Sequence, residues 1–186
     1  MTVSTIDPVV ALVVIDLQEG LRDAPTVHPL PDVVARSAEL ADAFRDRGLP
    51  VVLVTAGGRP PGRTERAPRR GSAPLPEGFD RVLDELHTRP SDVRIGKQTW
   101  GAFTGTGLDA ELRARDVTQV VITGVATSAG VESTARSAHE HGYHVVLATD
   151  AMTDTDQTAH EHSIATIFPK LGETAMTTEI LAALST

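Results

Sequence analysis

The sequence predicts an α/β domain, a three-layer α/β/α sandwich around a six-stranded parallel sheet. Three observations predict it. Short β-branched runs alternate with helical patterns, the order that right-handed crossovers fold into a parallel sheet. Val9–Ile15 is almost continuously apolar, as a strand covered on both faces requires. Val120–Asp150 reads as a buried strand, a tight turn, a helix and a second buried strand, a complete βαβ unit.

The elements follow in order. After the first strand, Asp32 is placed to cap a helix running to about Gly48, with Val33, Val34, Leu40, Ala41 and Phe44 on its inner face. Val51–Val54 is the second strand, Glu77–His87 a helix and Asp92–Ile95 the third strand. Thr106–Asp116 is a helix and Gln119–Thr123 the fourth strand. In the helix Ser128–His141, Val131, Thr134, Ala135 and Ala138 share one face, and Glu132 can pair with Arg136 one turn on. Gly142 ends that helix, and Tyr143–Thr149 is the fifth strand. Gln157–Phe168 is a helix, Thr174–Met176 a short sixth strand and Thr178–Leu184 a closing helix. The arrangement is Rossmann-like.

The 186 residues suffice for one domain, 1–186, with its own core. Apolar residues make up 40% and charged residues 23%, an ordinary globular balance. A net charge of −8 without a basic stripe argues against nucleic acid. With no cysteine there is no disulfide, thiolate metal site or thiol nucleophile. Apolar runs such as Pro8–Ile15 are too short to span a bilayer and no targeting segment is visible, so a cytoplasmic protein is expected. The odd segment is Ala56–Pro76, rich in Pro, Gly and Arg, a loop of a length that usually serves a function or stays disordered.

Chemistry-bearing residues gather where strands end, the edge at which open α/β sheets hold ligands. Asp16, with Gln18 beside it, follows the first strand; it can act as a general acid or base, or merely form a turn or cap. Lys97 follows the third strand; it can hold a carboxylate ionised or meet developing negative charge, or be a surface lysine. The turn Gly124–Gly130 points helix N-terminal N–H groups at whatever binds there. At its mouth stands Gly130, with no side chain.

In this order the blocks resemble the isochorismatase-like hydrolase superfamily, the fold of nicotinamidases, carbamoylsarcosine amidases and isochorismatases. Val13-Val14-Ile15-Asp16-Leu17-Gln18 resembles its opening strand and DxQ turn. Lys97 with Ala102-Phe103 and Thr106-Gly107-Leu108 resembles its lysine block. Gly124–Thr127 and Val131–Arg136 resemble its nucleophile turn and helix, and Asp150-Ala151-Met152 the segment after the next strand. The resemblance implies a triad of which Asp16 and Lys97 remain, while Gly130 stands where the cysteine would be. It also implies a non-proline cis peptide at Val125–Ala126, with the N–H groups of Ala126 and Gly130 lining an oxyanion-type cradle.

Without a nucleophile the acyl-enzyme route is closed. The resemblance leaves vinyl-ether hydrolysis, in which Asp16 protonates the enol-ether carbon and water attacks the oxocarbenium ion. That role needs a raised carboxyl pKa, which the Lys97 ammonium alone would oppose. Val125, Ala126 and Thr127 would contact substrate together with Gln18, Trp100 and Phe103, Phe103 having a core role as its alternative. Arg66, in a loop that also carries Arg59, Arg63, Arg69 and Arg70, would meet a substrate carboxylate. Isochorismatases proper carry an aromatic and a histidine in the turn and a glutamine after the second strand; here stand Ala126, Thr127 and Gly57, so isochorismate itself is in question.

Other signals count for less. Gly105-Thr106-Gly107 follows no strand and lacks the third glycine of a dinucleotide loop. His139/His141 and His160/His162 are spaced for different helix faces and are expected on the surface. Ala56-Gly57-Gly58 stands where nicotinamidases carry a zinc-binding Asp-x-His, so neither metal nor cofactor is expected. Ser128 is expected to cap its helix. The reading is thus a hydrolase of a small, anionic metabolite acting without covalent catalysis. Its alternatives are a catalytically degenerate binding protein or an amidase using Ser128 or Thr127. A homodimer or larger homo-oligomer is expected from the resemblance.

Overall fold

A computed structural model describes residues 3–58, 60, 62–65 and 74–185. Six parallel strands form one sheet in the order β3-β2-β1-β4-β5-β6: β1 Val10–Ile15, β2 Val51–Ala56, β3 Val93–Lys97, β4 Gln119–Val125, β5 His144–Thr153 and β6 Glu173–Ala175. The helices are α1 Leu30–Asp46, α2 Leu108–Arg113, α3 Glu132–Glu140, α4 Gln157–His162 and α5 Thr177–Leu184. The sheet separates two apolar clusters. Val10, Leu12 and Val14 face α1 and α5, whereas Ala11, Val13 and Ile15 face α2 and α3. This period-2 division explains why β1 is apolar throughout: each face has its own core to fill.

Most expected elements are present, with instructive shifts. The cap of α1 is Pro29 rather than Asp32, and Pro31 occupies its first turn, where a missing N–H costs nothing. The expected inner face, Val33, Val34, Leu40, Ala41 and Phe44, is buried. Glu77–His87 is not a helix: Gly78 is left-handed at φ 73°, and the segment donates its backbone elsewhere. Arg81 and Phe79 carbonyls accept from Glu19 and Gly20, Leu83 N–H donates to Leu17, and Val82 bridges Gln18 antiparallel. The segment is a strap over the turn that follows β1, and only its end, Asp84–Leu86, forms a short 3-10 turn.

One buried ion pair fixes the approach to β3. Arg45 on α1 reaches Asp92 bidentately, Nε to Oδ1 at 3.0 Å and Nη2 to Oδ2 at 2.8 Å, and also donates to the Leu86 carbonyl. Both side chains are at most 3% exposed. Removing one partner leaves the other charge buried, which typically costs about 3–5 kcal/mol. Arg45→Met is therefore expected to lose stability of that order in urea unfolding. A loss below about 1 kcal/mol, the range of surface pairs, would contradict the assignment.

Candidate active site

Asp16 leaves β1 in the left-handed conformation, φ 53°, which Asp tolerates better than most side chains. Its N–H donates to Val54 and its carbonyl accepts from Gln18, a tight turn at the carboxyl edge of the sheet. Lys97 ends β3, two strands away and across β2. At a strand spacing of about 4.8 Å that gap needs a long side chain, and the lysine stem spans it. Lys97 Nζ lies 2.7 Å from Asp16 Oδ2 and 3.2 Å from the Thr99 carbonyl. Both side chains are buried, Asp16 being 6% and Lys97 2% exposed.

Asp16 Oδ1 is buried and accepts no hydrogen bond among the described residues. Burial raises the Asp16 pKa to about 6, even though the Lys97 ammonium and its hydrogen bond pull it down. Desolvation thus wins over the ion pair.

The third component closes over this pair. Gly124, at φ 114°, crosses β1 so closely that a Cβ would stand 2.0 Å from the Ile15 carbonyl oxygen, so no other residue fits. The Val125–Ala126 peptide is cis, as the resemblance implied. A five-residue π-helical turn, Thr127–Val131, then leads into α3, and the Ala126 carbonyl accepts from Ala129 and Val131 N–H. A Cβ on Gly130 would lie 3.2 Å from Asp16 Oδ2, 3.1 Å from the Val125 oxygen and 3.0 Å from Ile15 Cγ2. Gly130 therefore faces the Asp16–Lys97 pair, and its bareness lets the carboxylate approach the elbow.

The remaining expected contacts divide. Gln18 is fully buried with its amide engaged: Nε2 donates to Ala56 and Phe79 carbonyls, and Oε1 accepts from Ala56 N–H at 2.7 Å. It braces the end of β2 and the strap rather than presenting itself to a ligand. Phe103 takes the core role, stacked on His141 and beside Tyr143. Trp100 is 58% exposed at the loop after Lys97. Thr127 is fully buried, its hydroxyl turned to His160. Arg66, with Arg59, Arg69 and Arg70, lies outside the described residues. Ser128 is no cap: its N–H and hydroxyl both donate to Asp154 Oδ2, at 2.7 and 2.8 Å.

Sequence reasoning missed His160. It was expected at the surface but is 4% exposed, with Nδ1 2.8 Å from Thr127 Oγ1. Helical spacing separated it correctly from His162, which is exposed, but could not say which of the two faces inward. Thr134 was expected only to pack. Its hydroxyl donates to the Gly130 carbonyl at 2.7 Å and accepts from Ala102 N–H at 3.1 Å, tying the elbow to the loop that follows Lys97.

Residues 10–180 match the family model of the isochorismatase domain. The chain belongs to the isochorismatase family of hydrolases. It is 40% identical over 179 residues to the isochorismatase family protein YecD of Escherichia coli O157:H7, covering 94% of this chain and 95% of the relative. It is 32% identical to the ureidoacrylate amidohydrolase RutB of Methylobacterium radiotolerans, covering 84% of this chain and 72% of that one. An isochorismatase family protein structure from Burkholderia thailandensis superposes with a TM-score of 0.90 at 43% identity, each chain being covered in full. Among the described residues no helix is long and apolar enough to cross a membrane, and no group of three or more His, Asp or Glu side chains is arranged to hold a metal.

Proposed function

We propose that this isochorismatase-family hydrolase acts on a small anionic metabolite without a covalent intermediate, vinyl-ether hydrolysis of the isochorismate type being the best-defined candidate. The observation that carries the reading is the Asp16 carboxyl, raised to about 6 and with Oδ1 free of any protein partner among the described residues. In its protonated form it donates to the enol-ether carbon. Water adds to the oxocarbenium ion and gives its proton to the Asp16 carboxylate, which restores the acid; the hemiketal so formed breaks its C–O bond, its hydroxyl proton passing to the leaving oxygen, to give a ketone and an alcohol. Lys97 holds Asp16 Oδ2 in place and stabilises the carboxylate left after transfer, while the N–H groups of Ala126 and Gly130 form the polar cradle. Gly130 is compatible with this route because no step attaches substrate to the protein.

A second reading rests on a specific contact. Thr127 Oγ1 and His160 Nδ1 have nucleophile–base spacing, and the ureidoacrylate amidohydrolase relative is named for amide chemistry. Against it, Thr127 is fully buried. Isochorismate and a panel of ureido and nicotinamide-type amides separate the two. Ketone release from isochorismate that is lost in Asp16→Asn, with no turnover of the amides, supports the proton-donor reading. Amide turnover lost in Thr127→Val would replace it, and no turnover of either class would leave a binding protein.

A donor must start protonated, so kcat/KM should be flat below about pH 6 and fall about tenfold per unit above it. Lys97→Met removes the influence that lowers the Asp16 pKa, and the falling limb should move to higher pH. A limb that stays in place or moves down would contradict that role for Lys97.

A further inference from the structure

The catalytic face of the elbow carries no side chain at Gly130, so its backbone must be held from behind. Two consecutive residues do this, and both are anchored by the chain that follows β5. Ser128 is bonded twice to Asp154. Thr127, the residue after the cis peptide, is bonded to His160 on α4. That segment is itself fixed: Asp156 caps α4 through Ala159 N–H, Val27 N–H donates to the Asp154 carbonyl, and the His28 ring packs edge-on against His160 at 4.9 Å.

We infer that His160 is a positioning residue, which sets the Thr127 end of the elbow so that the Gly130 backbone meets the Asp16–Lys97 pair in reacting geometry. The inference rests on the proposed role of that elbow as a cradle. A π-helical turn holds its backbone less tightly than an α-turn and is often found at functional sites, so an outside anchor matters here. Burial first, and the neighbouring His28 second, lower the His160 pKa and favour the neutral ring. Because Thr127 is fully buried, His160 has no route to substrate through that hydroxyl. Its contribution is geometric.

The test compares His160→Asn, whose amide places a polar atom near the Nδ1 position, with His160→Leu, which has none. Thr127→Val removes the other partner and serves where His160→Leu fails to fold. With isochorismate as probe, His160→Leu and Thr127→Val should each lower kcat by about ten- to a hundredfold with little change in KM, the scale of a misplacement near 1 Å. His160→Asn should stay near wild type. Amide hydrogen exchange at residues 127–131 should quicken in the first two variants and not in the third. Unchanged kcat and unchanged exchange in His160→Leu overturn the inference. So does loss of activity in His160→Asn with exchange unaltered, which would make the ring a chemical participant. If wild type does not hydrolyse isochorismate, the functional reading fails separately. The exchange arm then decides alone, faster exchange confined to 127–131 supporting the anchor and unchanged exchange rejecting it.

Discussion

Asp16→Asn should reduce enol-ether hydrolysis by roughly 10²–10⁴-fold, the usual worth of a positioned general acid, with no pH-dependent recovery. Asn has nearly the same shape, so a loss of this size reports the proton and not the packing. The substitution also leaves the Lys97 ammonium buried beside a neutral amide, and breaking such a pair typically costs about 3–5 kcal/mol. The double variant Asp16→Asn, Lys97→Met should recover much of that stability and none of the activity. Urea unfolding and ketone release, measured on the same preparations, separate the two effects. An Asp16→Asn protein within a few-fold of wild type would remove Asp16 from the chemistry.

The second large effect is expected at Gly130. The three atoms nearest an added Cβ stand at 3.0 to 3.2 Å, so a small side chain requires shifts of a few tenths of an ångström. A branched one requires more, against a backbone oxygen that has little freedom. Gly130→Val should therefore lose about 1–3 kcal/mol through overpacking and nearly all activity, because the displaced group is the Asp16 carboxyl. Gly130→Cys should fold and carry the sole thiol of the chain, since the natural sequence has none. Iodoacetamide should label that thiol once, since the chain carries no other. Isochorismate hydrolysis should fall in this variant even before labelling. Undiminished hydrolysis in Gly130→Val would show that the bare elbow is not required.

The fold was legible where local pattern and tertiary demand coincide. β1 had to be apolar on both faces, and α1 and α3 carried their core stripes at helical spacing, so periodicity alone placed them. Glu77–His87 failed because its fate is decided by a distant partner: the segment zips onto residues 17–20 through backbone bonds that no local pattern records. Asp16, Lys97 and Gly130 were legible because each stands at a strand end or helix mouth. Gln18 was visible as a position but not in its bracing role, which depends on where Ala56 and Phe79 arrive. His160 and Asp154 escaped for the same reason, since only the docking of α4 on the elbow turns a surface pattern into an anchor.

The most direct measurement is a carboxyl titration of Asp16 by carbon NMR, assigned by its disappearance in Asp16→Asn. The midpoint should lie near pH 6, higher in Lys97→Met, and coincide with the falling limb of kcat/KM. A midpoint at or below the ordinary aspartate value of about 4 would contradict the proton-donor reading, because the group would then enter the reaction without a proton to give.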